Sequence, residues 1–261
     1  MKSRVKLATL LLAMVMLVAV TACNRSAPDK NEKKSSDETS FSTAPLRADS
    51  EVSEVVPQSA LYEPDLDNLV TDAVYELVKD SYNGGWSEYH IPKINLPNDL
   101  AENVNREMLA EGEKTLPDSG LERYDYFWQY ANRVVSVLVR KCYPNDCDYY
   151  KVYNVSVDTG MRLTNDDLRQ MYGLTEQQLT DLLIQKAGQR FIEYYSSFPH
   201  TADYVDQYNK TITAENVAGS MLFINQSGDL CSVTCIYSMA GANTYWRLLN
   251  LTGTTPVEFP R

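Results

Sequence analysis

Hydrophobic and polar positions change their pattern twice along this chain. Leu7 to Val20 is almost wholly apolar and follows a basic start at Lys2, Arg4 and Lys6. That length suits a signal-peptide core and is short for a bilayer span. Residues 24–57 are rich in Ser, Lys, Glu and Asp, with Phe41 as their only aromatic residue. Such a segment cannot bury enough apolar area to offset its ordering entropy, so it is expected to be disordered. From residue 58 onward the apolar positions recur with the periods of strands and helices.

Leu61 to Tyr82 is compatible with helix or strand. Trp86 to Ile94 alternates like a strand, and Asp99 caps a helix to about Glu113 with Leu100, Val104, Met108 and Leu109 at helical spacing. Glu122 to Tyr130 places Tyr124, Tyr126, Trp128 and Tyr130 on one face of a strand. Ala131-Asn132-Arg133 is a turn. Val134 to Cys142 follows, with Val135, Val137 and Val139 on its apolar face, and Tyr149 to Val157 returns after the turn Tyr143-Pro144-Asn145-Asp146. Thr164 caps a short helix whose first turn holds Asp166 and Asp167. Thr175 opens a longer one over about 176–197. Ala218 to Ile224 and Leu230 to Ser238 flank Asn225-Gln226-Ser227-Gly228-Asp229 as a hairpin, and Asn243 to Leu251 is a final strand. Strands joined by tight turns and interspersed with helices predict an α+β fold: an antiparallel sheet with helices packed on one face, in two layers.

The apolar run ends in Val20-Thr21-Ala22-Cys23. A branched residue, two small residues and a cysteine resemble the lipobox of bacterial lipoproteins. The resemblance implies that residues 1–22 are a cleaved signal peptide and that the Cys23 thiol carries a diacylglyceryl group. Two acyl chains suffice for stable anchoring. Residues 23–57 then form a lipidated tether of roughly 32 Å r.m.s. reach, and residues 58–261 the folded domain. The expected location is the cell envelope, outside the cytoplasm, with the membrane held through lipid.

Charge narrows the partners. The chain carries 24 basic and 35 acidic residues, a net charge of −11. Without Lys2, Arg4 and Lys6 the mature chain reaches −14, from 21 basic against 35 acidic residues. Such a surface disfavours nucleic acid and suits small ligands, cations or a basic protein. An exported location permits disulfides, and Cys142 and Cys147, flanking the Pro144 turn, are the candidate pair. Cys231 and Cys235 share one face of a strand, too far apart along it to bond each other. They read as buried thiols, with a bond from one of them to another strand, or a four-cysteine zinc site of loose C-x4-C and C-x3-C spacing, as the alternatives.

Several stretches fall in a familiar order: Tyr89-His90-Ile91-Pro92-Lys93-Ile94-Asn95, the helix with Asn103-Val104-Asn105-Arg106-Glu107, Asn132-Arg133-Val134-Val135-Ser136-Val137, Tyr153 to Gly160 with Leu163 to Leu168, and Phe223 to Tyr237. Over about residues 86–252 this order resembles the extracytoplasmic domain shared by RsiV-type anti-sigma factors and PdaC-type peptidoglycan deacetylases. The resemblance implies an α/β sandwich module without catalysis of its own. In the anti-sigma factors that region binds lysozyme, and in the deacetylases it accompanies a separate catalytic domain. This chain departs from both contexts, since it shows neither a sigma-binding segment nor a second domain of deacetylase size.

Catalytic signatures are sparse. The only histidines, His90 and His200, lie far apart, and no G-x-S-x-G elbow occurs. No catalytic residue, metal set or cofactor is therefore expected. The stripe Tyr124, Tyr126, Trp128 and Tyr130 is the candidate ligand-binding surface, because aromatic faces suit sugar rings and protein partners. Its other reading is core beneath a helix. The expected function is a non-catalytic binding module for peptidoglycan, glycan or a secreted basic protein such as lysozyme. The alternatives are a cell-wall hydrolase or deacetylase, and a structural lipoprotein acting through protein contacts only.

Overall fold

A computed structural model describes residues 62–79, 85–115, 120–144, 147–239 and 244–260. The signal peptide expected over 1–22, the lipidation expected at Cys23 and the tether expected over 23–57 lie outside these residues. The elements are β1 (Val70–Lys79), β2 (Trp86–Ile94), α1 (Asp99–Thr115), β3 (Arg123–Ala131), β4 (Val134–Tyr143), β5 (Cys147–Ser156), β6 (Arg162–Leu163), α2 (Asn165–Met171), α3 (Glu176–Tyr194), α4 (Ala202–Thr211), α5 (Ala214–Ala218), β7 (Met221–Ile224), β8 (Leu230–Tyr237) and β9 (Thr244–Asn250). The ambiguous stretch before Tyr82 contains the strand β1. No described helix is long and apolar enough to cross a membrane.

The fold is mixed α/β with antiparallel-rich sheets. One sheet has six strands in the order β1-β2-β3-β4-β5-β6, and a second has three in the order β7-β8-β9. Every pairing is antiparallel except β2 with β3, whose crossover passes through α1. The expectation of one sheet with all helices on a single face needs correction. Each sheet carries helices on one face, but there are two such pairs and they stack sheet to sheet. Val104 and Met108 of α1 pack on Tyr89, Ile91, Val135, Val137 and Tyr153 of the large sheet. Its other face meets the small sheet through Phe127, Leu138 and Val152 against Phe223, Cys231 and Val233. Leu222, Ile224, Ile236 and Leu249 then face Leu183, Ala187 and Phe191 of α3.

β4 is the middle of this stack and is buried along nearly its whole length. Val135, Val137 and Val139 turn to α1 as the alternation predicts, while Val134, Ser136, Leu138 and Arg140 occupy the opposite side, which faces the small sheet. α4 and α5 are additions to the expected elements. Their threonine caps are local signals: Thr201 accepts from the Tyr204 amide and Thr213 from the Asn216 amide. α5 also takes the start of the strand expected from Ala218.

β7 pairs with β8 on one side only. Side chains satisfy its other edge. Asn165 Nδ2 donates to the Ser220 carbonyl (2.8 Å) and its Oδ1 accepts from the Leu222 amide (2.9 Å). Asn154 Nδ2 donates to the Leu222 carbonyl at 2.8 Å. Ser136 Oγ donates to Asn154 Oδ1 (2.7 Å) and accepts from the Ile224 amide (3.1 Å). Gln129 accepts from the Gln226 amide. Residues of β3, β4, β5 and α2 thus supply the partner that a neighbouring strand would supply. Asn105 does the same for β2, holding both the amide and the carbonyl of Ile94 at 2.8 and 2.9 Å.

Two turns fix the geometry around this joint. Asn132 and Arg133 both have positive φ, 52° and 63°, the hairpin conformation that matches strand twist and disfavours most side chains. Their side chains hold it: Asn132 donates to Gly228 and Tyr172, and Arg133 binds Asp158 and the Tyr62 carbonyl. Gly160, at φ +70°, lies against Asn98, which leaves no room for a Cβ.

The expected Cys142–Cys147 bond is not formed. The β4–β5 register pairs Cys142 with Asp148 and Tyr143 with Cys147, so the hairpin is offset by one residue from the register that would set the two cysteines opposite each other. Cys142 is a buried free thiol, and the Cys147 side chain lies outside the described residues. Cys231 is buried between the sheets, as expected, and Cys235 is half-buried.

A row of ion pairs ties α1 to the large sheet. Glu111 binds Lys141 at 2.6 Å, and Glu107 binds Lys151 at 3.3 Å and also Arg162. The hydrogen bond from Lys141 holds the Glu111 carboxyl below its ordinary value of 4.5, against the opposing effect of burial. A carboxylate depressed in the folded state stabilises above its unfolded pKa and loses that contribution as pH falls through the folded value. Unfolding stability is therefore expected to decline below about pH 4.5, and Lys141→Met to flatten that decline in denaturant titrations across pH 3–6. Asn154→Ala strands the Leu222 carbonyl in the interior. It is expected to cost about 2–4 kcal/mol with an unchanged denaturant m value. A shift under about 0.5 kcal/mol would show that the edge joint contributes little.

Candidate functional site

β2 and β3 pair only at Glu88 with Arg123 and at Tyr89 with Tyr124. Beyond that point the two strands part, and a cleft of about 500 Å³ opens between them. Its walls include Asp72, Glu88, His90, Tyr126 and Trp128. Phe127, Arg123 and Asp125 extend the lining, and Phe259 and Pro260 close one side from the segment after β9.

A bulge between Asp72 and Val74 of β1 sets the acidic wall. Bulges re-aim side chains that a regular ladder would point elsewhere. The Asp72 carboxylate lies 3.2 Å from His90 Nδ1 and is hydrogen-bonded by the Tyr126 hydroxyl. Glu88 stands 3.9 Å from His90 Nε2. Tyr75 packs its ring against the imidazole with centroids 4.7 Å apart. Burial raises the Tyr126 hydroxyl pKa, and Asp72 adds to the effect, so Tyr126 remains a proton donor throughout the physiological range.

The opposite wall rests on Asp125 and Arg140, cross-strand partners on β3 and β4. Arg140 grips Asp125 with two bonds, at 2.9 and 2.7 Å, and Arg123 adds a third contact at 3.0 Å. The Arg140 guanidinium stacks 3.8 Å from the centroid of the Phe259 ring, which meets Phe127 edge-on at 5.3 Å. Two-pronged geometry and stacking make this a rigid floor.

The aromatic stripe divides along its length. Tyr124 is fully buried beside Tyr89 under α1. Its place in the candidate ligand surface is therefore corrected to core, because α1 covers the short stretch where β2 and β3 still touch. Tyr126, Trp128 and Tyr130 are half-buried. Trp128 stands between two recesses: it lines the cleft with Tyr126, and with Leu66, Gln129, Tyr130 and Gln226 it lines a second hollow of about 310 Å³.

His90 has companions that sequence spacing could not reveal, since Asp72 reaches it only across the bulged β1–β2 ladder. Glu88, two residues earlier on the same strand face, was the local signal. Phe259 carried no pattern at all. His200 instead stacks on Tyr204 at 4.4 Å, away from the cleft. Among the described residues, no group of three His, Cys, Asp or Glu side chains is placed to hold a metal ion.

No protein-family model matches this chain, and no curated protein matches it in sequence. Of the stretches that carry the resemblance noted above, His90 lines the cleft, while six other residues have architectural places. Asn105, Ser136, Asn154 and Asn165 satisfy strand edges. Thr164 and Asp167 close a capping box on α2. None of these lines the cleft.

Chemically, the cleft offers an indole and a phenol face beside carboxylate acceptors and one imidazole. That combination suits a polyhydroxylated ring, with apolar C–H faces for stacking and hydroxyls for the carboxylates. Beneath it, burial pushes the Cys142 thiol up to about 11, with the Asp125 and Asp148 charges adding to the effect. Thiolate is the reactive form, so native Cys142 is expected to resist iodoacetamide at pH 8. It should alkylate fully in denaturant without any reductant, read by mass spectrometry. A requirement for reductant would show that Cys142 is oxidised.

Proposed function

We propose that this chain is a membrane-anchored cell-envelope lipoprotein. In this reading residues 1–22 are its signal peptide, residues 23–57 a flexible tether lipidated at Cys23, and the folded part over 58–261 a non-catalytic α+β binding module of the kind shared by RsiV-type anti-sigma factors and PdaC-type deacetylases. Its ligand is peptidoglycan or a related glycan, taken in the cleft between β2 and β3. The observation that carries this reading is the placing of Trp128 and Tyr126 beside Asp72 and Glu88 in one open recess. A secreted basic protein such as lysozyme is the second reading, favoured by the net charge of −11 and by the resemblance.

Calorimetric titration of the full chain with soluble peptidoglycan fragments tests the first. Saturable binding is expected, weakened about tenfold or more by Trp128→Ala, because a buried stacking aromatic is a typical hot spot. Binding indifferent to Trp128→Ala would remove the cleft from the reading. For lysozyme, a complex that weakens steeply as salt rises through the physiological range is expected. Salt-independent affinity would exclude charge as its basis.

A further inference from the structure

The large sheet is covered only in part on the side that meets the small one. The small sheet lies over β3, β4 and β5 through Phe127, Leu138, Tyr150 and Val152, and no residue of β1 or β2 enters that inter-sheet core. The ladder register places Trp86, Glu88 and His90 of β2, with Tyr75 and Leu77 of β1, on this same face. Three large side chains are left open there: Tyr75 at 51%, Leu77 at 52% and Trp86 at 66% exposure.

β1 is also the outermost strand of its sheet. Among the described residues, no backbone hydrogen bond from outside the β1–β2 ladder reaches Val70–Lys79. Edge strands of this length are ordinarily blunted by bulges, prolines or inward charges. Here the bulge lies at Asp72–Val74, and the run from Val74 to Lys79 continues in regular register with Trp86 to Ile91. Val74-Tyr75-Glu76-Leu77-Val78 is rich in strand-forming residues and is exposed from Tyr75 onward. Among the described residues the outer amides and carbonyls of this strand thus have no backbone partner and lie beside an apolar shelf, which is the surface that β-strand addition uses.

Charge selects the occupant. Asp72 and Glu88 stand on the shelf face and Glu76 on the opposite face of β1. All three are exposed, and Lys79 is the basic group of this run. A second copy of the chain would bring one acidic surface against another, which like-charge repulsion opposes.

We propose that the outer half of β1 accepts a basic, extended peptide segment of a partner protein as an additional antiparallel strand. Apolar side chains of that segment would lie on Tyr75, Leu77 and Trp86, and its Lys or Arg residues would meet Glu88 and Asp72 on one face and Glu76 on the other. The inference rests on the reading of the domain as a binding module, and adds to it a mode of docking and a partner chemistry on a shelf beside the glycan cleft, with which it shares Asp72 and Glu88.

The test uses the full chain and a fluorescent peptide of alternating Lys and Val, about eight residues long. Saturable anisotropy is expected, with slowed deuterium exchange at residues 74–79. The same peptide N-methylated at alternate residues should bind about tenfold or more weakly, since strand addition needs its amides. Glu76→Lys with Glu88→Lys should likewise weaken it about tenfold, and the matching Glu–Val peptide should not bind. Trp128→Ala should leave peptide binding intact while weakening the glycan, so either site can fail alone. Undiminished binding of the methylated peptide, absence of binding by the unmodified one, or a stable dimer of the free chain with protection at 74–79 would each overturn the proposal.

Discussion

The outer edge of β7 is where this structure is joined. A four-residue strand with one ladder partner is weak. Its free edge faces the interior, where water cannot satisfy it. Asn154 and Ser136 from the large sheet, with Asn165 from α2, complete that edge. Each bond adds only a modest net gain, but each missing partner would leave a buried backbone group at a cost of roughly 1–3 kcal/mol. The packing of Phe223 and Val233 on Leu138 and Val152 supplies the non-directional attraction between the sheets. The amide side chains set the register in which that attraction is realised.

The joint also explains how a site arises at the other end of the large sheet. The small sheet is anchored over β3 to β5, so β1 and β2 project beyond its cover. The parallel contact of β2 with β3 lasts for two residue pairs, and past it the two strands are free to diverge. Tyr126 and Trp128 are consequently half-buried, while Tyr124, two residues earlier on the same face, is core. One strand thus contributes both to the interior and to a recess, and a change of neighbour along its length is the whole reason.

Most elements were legible in the sequence because they rest on local signals. The valines of β4 alternate, Thr164 and Thr175 announce their helices through capping boxes, and Asn132-Arg133 marks its hairpin. Two things were not legible. The first was the division into two sheets, because a strand buried on both faces, such as β4, shows the same valine alternation whether its other side meets water or Phe223 and Val233. The second was the cleft. The stripe on β3 was visible, but which of its members would be covered depended on where α1 lies. Asp72 reaches His90 through a bulge, and Phe259 reaches Arg140 from the segment after β9. The Cys142–Cys147 expectation failed for a related reason: a turn signal locates a hairpin but does not fix its register to one residue.

The contacts that close the β7 edge span long stretches of chain: 68 residues from Asn154 to Leu222, 88 from Ser136 to Ile224 and 97 from Gln129 to Gln226. The β3–β4–β5 meander, by contrast, is built from neighbours in sequence. Loop-closure entropy has to be met before distant contacts return anything. The meander therefore has the kinetic means to form early, and the inter-sheet joint has to wait for α2 to α5 to be laid down. In that interval β4 presents Leu138 and its polar companion Ser136 to solvent, before Phe223 and the Ile224 amide of β7 reach them. The polar side chains that later lock the sheets also keep the waiting surface from being a continuous apolar strip.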